Sequence, residues 1–424
     1  MARIEPFRAV RYDTRKVDLG QVIAPPYDVV ARDERGDLYD RDPYNAVRLE
    51  LTRRAEDEAA TDYGHVREIL DGWTQEGVLI RDEKPALYVL RQSYKAPDGG
   101  VLSREGFFAA VQLEAYENRV VRPHERTLAG PKADRLRLLR ATRANLSPIF
   151  MLYEDREEQL THALSQAFEN AEVSQTREVA GVSHSLVALR DTAAIDSIRN
   201  FLADRPLVIA DGHHRYETAL AYRDERRKAE PAGTHSGPYE STLVYLANAF
   251  APGSLLLPIH RVVKKGGVPT AEAYSQRLPG WSSKTVAVAG EAEIHAVLDR
   301  HLAPLARRPS FAADDGSGSL RIFWRDEELG QRLMVEILEE QVIGGVFGLG
   351  PDAIRDGAVG FPKSAERAAL EVRGAEGTVA LYLNPLHAED VFRVTAAGKV
   401  MPQKSTFFAP KIPTGLVFRV EESP

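Results

Sequence analysis

Apolar positions along this chain fall into short runs parted by polar turns, and two spacings alternate among them. Val66, Ile69, Leu70 and Trp73 recur at the interval of one helix face, which predicts a helix over residues 62–76 closed by Gly77. Residues 87–90 and 106–111 read as two strands of a hairpin turning at Pro97-Asp98-Gly99-Gly100. Residues 21–24 read as a strand ended by Pro25-Pro26, and 46–51 alternate as a half-buried strand does. Further helices are predicted over 134–144, 157–171, 271–278, 291–302 and 366–372, and further strands over 182–189, 242–248, 255–262, 320–324 and 379–383. Asp314 to Ser319 has the composition of a linker or a hairpin tip.

One run carries more chemistry than the rest. Leu207, Val208, Ile209 and Ala210 make a short apolar strand, Asp211-Gly212-His213-His214-Arg215 a polar turn, and the residues after it a helix reaching about Lys228 and stopping before Pro231. A strand ending at Ala210 and a helix opening near His214 leave unbonded N–H groups and the positive end of a helix dipole above Gly212. Phosphate is the natural occupant of such a seat. His213, His214 and Arg215 add donors, and Asp211 adds a carboxylate suited to a metal ion or a hydroxyl. A helix start whose histidines merely cap and pack is the plainer reading of the same residues.

Composition narrows the class. At 424 residues the chain exceeds one ordinary core, and 43% hydrophobic with 28% charged residues is the balance of a soluble globular protein. No stretch approaches the roughly 20 apolar residues of a membrane span, and Met1-Ala2-Arg3-Ile4-Glu5-Pro6-Phe7 lacks the order of a secretory signal, so a cytoplasmic location and no membrane partner are expected. The chain has no cysteine, which excludes disulfides, thiolate nucleophiles and thiolate metal sites. A net charge of −7 argues against a general nucleic-acid binder.

Other residues invite two readings each. Arg122-Pro123-His124-Glu125-Arg126-Thr127 follows a strand-like Val120-Val121, so Glu125 suits a general base or a surface ion pair. Lys132, Arg135, Arg137, Arg140 and Arg143 form a basic cleft or a solvated helix face. Tyr27 and Asp28 line a site or belong to a rigid turn, and Lys404-Ser405-Thr406 is a phosphate-contacting trio or a packed loop. His260-Arg261, at a strand end, reads as structural. Adjacent helix residues point about 100° apart, and no His-x-x-x-His companion accompanies His213-His214, which disfavours zinc.

Strand-then-Gly-x-x-Arg before a helix resembles the partition-protein (ParB) and sulfiredoxin superfamily. The spelling Asp211-Gly212-His213-His214-Arg215, with Pro123-His124-Glu125 upstream, is nearer its free-serine kinases than its DNA-partitioning members. Over nearly its whole length the chain is identified as a member of the domain-of-unknown-function 1015 family. The segments that carry this are Ile23-Ala24-Pro25-Pro26-Tyr27-Asp28-Val29, Asn45-Ala46-Val47-Arg48-Leu49-Glu50, Pro123-His124-Glu125, Gly130-Pro131-Lys132-Ala133-Asp134-Arg135, the Asp211 turn, Leu257-Pro258-Ile259-His260-Arg261 and Met401-Pro402-Gln403-Lys404-Ser405-Thr406. That family brings no activity with it.

The superfamily likeness implies a mixed α/β fold: a ParB/sulfiredoxin-like nucleotide-binding core over residues 111–265, interrupted by an insertion near 144–204, with α/β additions over 1–110 and 266–424. It implies a nucleotide-dependent small-molecule kinase using ATP or ADP with Mg²⁺ and acting on a hydroxylated metabolite such as free L-serine. Glu125 is then the base, with Asp211 and His213 beside it; Gly212, His213, His214, Arg215, Lys132, Arg135, Lys404, Ser405 and Thr406 hold the nucleotide, and Asp211 holds the metal. A ParB-type nucleotide-gated clamp or regulatory protein and a nucleotide hydrolase are the competing expectations. The partners expected are a small-molecule substrate and further copies of the chain, with nucleic acid disfavoured.

Overall fold

Most of the apolar runs in the first 250 residues line up in one sheet. The computed structural model describes residues 1–52, 63–96, 99–125, 130–169, 175–179, 181–231 and 236–422. Two units emerge, one of residues 1–255, 394–400 and 410–424, the other of 256–393 and 401–409.

Among the described residues, the main sheet of the first unit has nine strands: β1 (Ile4–Glu5), β2 (Leu87–Lys95), β3 (Val101–Gln112), β4 (Val121–Pro123), β5 (Ile149–Tyr153), β6 (Gln175–Val179), β7 (Val182–Leu189), β8 (Leu207–Asp211) and β9 (Ser241–Asn248). They are ordered β4-β8-β5-β9-β3-β2-β7-β6, with β1 pairing β3. Two pairs are parallel, β4 with β8 and β5 with β9, and the others antiparallel, so the fold is mixed α/β. Pro123 costs no ladder bond because β4 is an edge strand.

Residues 110 and 111, on either side of an expected domain boundary, are consecutive residues of β3. The stretch 144–204, expected as an insertion, supplies β5, β6 and β7 to the same sheet, with β5 beside β8. β5 reads Ile-Phe-Met-Leu-Tyr and is buried throughout, a continuous apolar run without alternation that escapes period-based reading.

Helices α1 (Gly64–Gln75), α2 (Gly130–Thr142), α3 (Gln159–Glu169), α4 (Thr192–Ala203) and α5 (His213–Ala229) accompany the sheet. Leu160 and Leu164 of α3, Ile195, Ile198 and Leu202 of α4, and Tyr216 and Ala219 of α5 share one core with Phe107, Ile149, Met151, Ile209 and Val244. α1 buries Val66, Leu70 and Trp73 and is followed by Gly77 at φ +67°, as its periodicity predicts.

Two predicted strands are short helices instead. Residues 46–51 contain the four-residue helix Val47–Glu50, because the Asn45 side chain accepts from the Val47 N–H at 3.0 Å and bends the chain into a turn. Residues 21–24 overlap the helix Leu19–Val22, whose entry Asp18 caps by accepting from Gly20 N–H, and only Ala24 forms a bridge, to Thr414.

The second unit has a six-stranded antiparallel sheet of β10 (Arg261–Val263), β11 (Ser282–Ala287), β12 (Ser310–Asp314), β13 (Ser319–Trp324), β14 (Val359–Gly360) and β15 (Val379–Tyr382), ordered β11-β13-β12-β15-β10-β14. Alternation divides its residues between two cores: Val263, Phe311, Phe323 and Leu381 on one face, Val262, Ala312, Ile322 and Ala380 on the other. No described helix in either unit is long and apolar enough to cross a membrane.

Candidate functional site

The site forms where β8 gives way to α5. Gly212 sits between them at φ +90°, ψ 29°, a left-handed conformation that suits glycine, and no side chain caps the helix it opens. The donors of the first turn thus face the end of the sheet without a side-chain acceptor at the cap. Arg215 folds back across this turn: a Cβ on Gly212 would lie 3.0 Å from the guanidinium carbon.

Asp211 is held from both sides. Its Oδ2 accepts from Arg215 at 2.5 Å and its Oδ1 contacts the Lys411 ammonium, with Asp211 and Lys411 side chains only 15% and 16% exposed. Burial alone would raise this carboxyl, but Lys411 and Arg215 outweigh it and hold Asp211 below the ordinary carboxylate range. Arg215 also donates to the Pro148 carbonyl, leaving its buried Nε without a partner. Behind it, a cavity of about 50 Å³ is lined by Glu50, Arg135, Ser147, Thr218 and Thr242, and the Thr218 hydroxyl there is likewise unsatisfied. The polar lining and the volume suit ordered water.

The parallel pairing of β4 with β8, in register Ile209 with Pro123, brings the upstream motif to the same sheet edge. His124 bonds through Nδ1 to the Ile209 carbonyl, so that nitrogen carries the proton. The His124 main-chain N–H points to Nε2 of His213 at 3.3 Å, which makes Nε2 the acceptor and places the His213 proton on Nδ1. That Nδ1 lies 3.6 Å from Oε1 of Glu125, whose side chain is 31% exposed against 4% for His213. The two rings meet edge to face at 4.6 Å. Burial pushes both imidazoles below the ordinary histidine range, reinforced at His213 by His124 and opposed only in part at His124 by Glu125 and the Ile209 carbonyl, so both are neutral near pH 7.

His213 therefore differs from its expected part. Its buried ring is turned to the His124 N–H through Nε2 and toward Glu125 through Nδ1, which leaves its main-chain N–H rather than its ring at the start of the helix. His214, half-buried with its pKa lowered chiefly by burial, stands near Glu217, Lys132, Glu125 and Asp28. Lys132 is paired with Glu217 of α5. Arg135 is buried and fully engaged: it donates to Glu50 at 3.0 Å, to Asp134 at 2.6 Å and to the Tyr63 hydroxyl, with its guanidinium 4.4 Å from the Tyr27 ring centre. It braces the wall of the site and has no donor left for a nucleotide. Arg126 and Thr127 lie outside the described residues.

Lys404, Ser405 and Thr406 belong to the second unit. Lys404 is exposed at φ 57°, a backbone state few non-glycine residues adopt, and Ser405 donates to the Pro402 carbonyl at 2.6 Å. His260 is buried, accepting from the Leu383 N–H at 3.3 Å, as a structural residue does.

Asp211 does not fit a metal ion, since both its oxygens face cations. Among the described residues no group of three or more histidines, aspartates or glutamates is arranged to hold one. Phosphate fits better: a left-handed glycine, an uncapped 17-residue helix and a lysine converge on one spot.

Two further residues of this site lie away from the Glu125 and Asp211 motifs. Lys411 arrives from a proline-flanked segment 200 residues downstream of Asp211, and no local signal ties the two together. Asp28, next to Tyr27, has its carboxyl raised by burial and by Asp211, partly offset by Arg215 and Lys411. Its place beside the site was one of two readings of the Pro25–Asp28 turn.

The family described as a protein of unknown function, DUF1015, matches residues 4–316. No curated protein matches. Among solved structures, a free serine kinase variant in complex with ADP is 12% identical, covering 73% of this chain and 92% of the kinase, with a TM-score of 0.33. SbnI with C-terminal truncation from Staphylococcus aureus is 12% identical, covering 73% of this chain and 86% of that one, with a TM-score of 0.34. A conserved hypothetical protein from Pyrococcus furiosus is 11% identical over 74% of this chain and 94% of its own, with a TM-score of 0.33.

Proposed function

The chain belongs to the DUF1015 family of proteins of unknown function, and from that premise we propose that it is a nucleotide-dependent phosphotransferase acting on a small hydroxylated metabolite, with free L-serine the first acceptor to try. The observation that carries this reading is the side-by-side placement of two strand ends. The β4–β8 pairing sets the Glu125 carboxylate 3.6 Å from His213, the residue that opens α5 beside left-handed Gly212. A proton acceptor and an anion seat thus share one edge of the sheet, and phosphoryl transfer requires both. The likeness of the Pro123-His124-Glu125 and Asp211–Arg215 motifs to those of free-serine kinases supports the same reading.

The nucleotide supplies the phosphoryl group. Glu125 takes the proton of the acceptor hydroxyl; that oxygen forms the new bond to phosphorus as the bond to the nucleotide's bridging oxygen breaks. Neutral His213, its Nδ1–H directed at Glu125, orients the carboxylate without neutralising it. The open N–H groups at the start of α5 and the nearby His214 receive the phosphate oxygens, where the helix dipole favours negative charge. Arg215 and Arg135 keep the turn and its wall in place.

Incubation of the protein with ATP or ADP and L-serine, with and without Mg²⁺, followed by detection of phosphoserine, tests this. Glu125→Gln is expected to keep nucleotide affinity and to lower turnover by about 100-fold or more. An unchanged rate in that variant removes Glu125 from the role of base. Phosphate release indifferent to serine makes the protein a hydrolase, and nucleotide-dependent DNA affinity at low salt makes it a clamp of the ParB type.

A further inference from the structure

Lys411 reaches the Gly212 turn from a part of the chain beyond residue 316, where the family match ends. Its main chain is anchored: the Gln92 side chain donates to the Lys411 carbonyl at 3.3 Å, and Arg104 donates to the carbonyl of Pro410 at 2.5 Å. Three residues on, Thr414 pairs with Ala24, so the same segment runs beside the bridge that leads to Tyr27 and Asp28. A long flexible side chain on a fixed stem thus ends at Asp211, one residue before the helix opens.

The charges there are arranged for exchange. Asp211 has two cationic partners, Arg215 on one oxygen and Lys411 on the other. Arg215 is pinned by the Pro148 carbonyl and packed against Gly212, whereas the Lys411 ammonium meets the other carboxylate oxygen at the end of a long, flexible side chain. If Lys411 leaves, Asp211 keeps Arg215 and no buried carboxylate is stranded without a counter-charge. Loss of Arg215 would have no such substitute at the same oxygen.

We propose that Asp211 is a stand-in anion: it parks Lys411 beside the phosphate seat, and an incoming phosphate takes the Lys411 ammonium from it, making Lys411 a phosphate-binding residue of this protein. The inference rests on the nucleotide reading above and adds the residue that completes the seat and the carboxylate that competes for it. Asp211 then sets the threshold for occupancy, because only a ligand more anionic than a single carboxylate wins the lysine. Phosphate esters satisfy that condition, and neutral nucleosides gain nothing from it.

Calorimetric titration of the full-length protein with ADP, ATP, pyrophosphate and adenosine tests this. Lys411→Ala is expected to weaken ADP and pyrophosphate roughly 10- to 100-fold, the range of a charge-assisted contact, and to leave adenosine unchanged. Lys411→Arg is expected to recover most of that loss. Asp211→Asn is the sharper variant: a competing anion removed gives tighter ADP binding, whereas an Asp211 that merely braces the turn gives weaker binding when replaced. Circular dichroism and the urea midpoint show that each variant folds. Unchanged ADP affinity in Lys411→Ala, or weakened affinity in a folded Asp211→Asn, overturns the exchange and leaves the nucleotide reading standing. Failure of the unaltered protein to bind ADP, ATP or pyrophosphate overturns both.

Discussion

His184 shows at the scale of one residue what burial does to chemistry in this protein. It lies on β7, accepts from Gln92, and has its pKa pushed down to about 4, by burial first and by Arg104 second. An unfolded histidine titrates near 6.5, so the native state resists the proton that the unfolded chain accepts. The stability this secures is complete above pH 6.5 and is lost as pH falls toward 4. Between pH 6.5 and 5 the loss from His184 alone is about 2 kcal/mol. Urea unfolding at those two pH values is expected to show it, and His184→Gln to flatten the profile by that amount; an identical profile in the variant contradicts the assignment. Residue chemistry was legible in the sequence where it was local. Gly212 and Glu125 could be picked out because a strand, a glycine and a carboxylate stood in readable order. Asp211 could not be read correctly, because its fate depends on Lys411, and a carboxylate gives the same sequence signal whether it meets a metal or an ammonium.

At the scale of elements, the decisive piece is the strand, glycine and helix of β8 and α5. Gly212→Ala places a side chain on a backbone at φ +90° and drives its Cβ to 3.0 Å from the Arg215 guanidinium. The left-handed backbone alone costs roughly 1–2 kcal/mol. The expected result is a lower urea midpoint together with weakened ADP binding, since Arg215 must leave the turn it braces. A variant as stable as the parent would mean that the turn relaxes without strain. Long amphipathic elements such as α1 were readable because their period repeats several times. Residues 46–51 were not, because alternation over six positions also fits one turn of helix, and Asn45 decides between them with a single hydrogen bond. β5 was missed for the opposite reason: buried on both faces, it carries no polar beat to count.

For the whole molecule, sequence order and spatial order part company. β5, β6 and β7 come from a stretch expected as an insertion, yet they share the sheet of β4 and β8, and residues 410–424 return to the first unit after the second in sequence. No local pattern announces such a return, which is why Lys411 was invisible beside Asp211 until the chain was folded. The mixed α/β class, by contrast, was legible from the alternation of strand-like and helical runs. The proposed function stands or falls with the N-terminus of α5, with Glu125 facing it, as a phosphate seat. A crystal structure of the protein with ADP tests that most directly. Terminal phosphate oxygens are expected about 3 Å from the main-chain N–H groups that open α5, with the Glu125 carboxylate across from them. ADP bound with its phosphates elsewhere, the Gly212 turn still closed by Arg215 and Lys411, would contradict it.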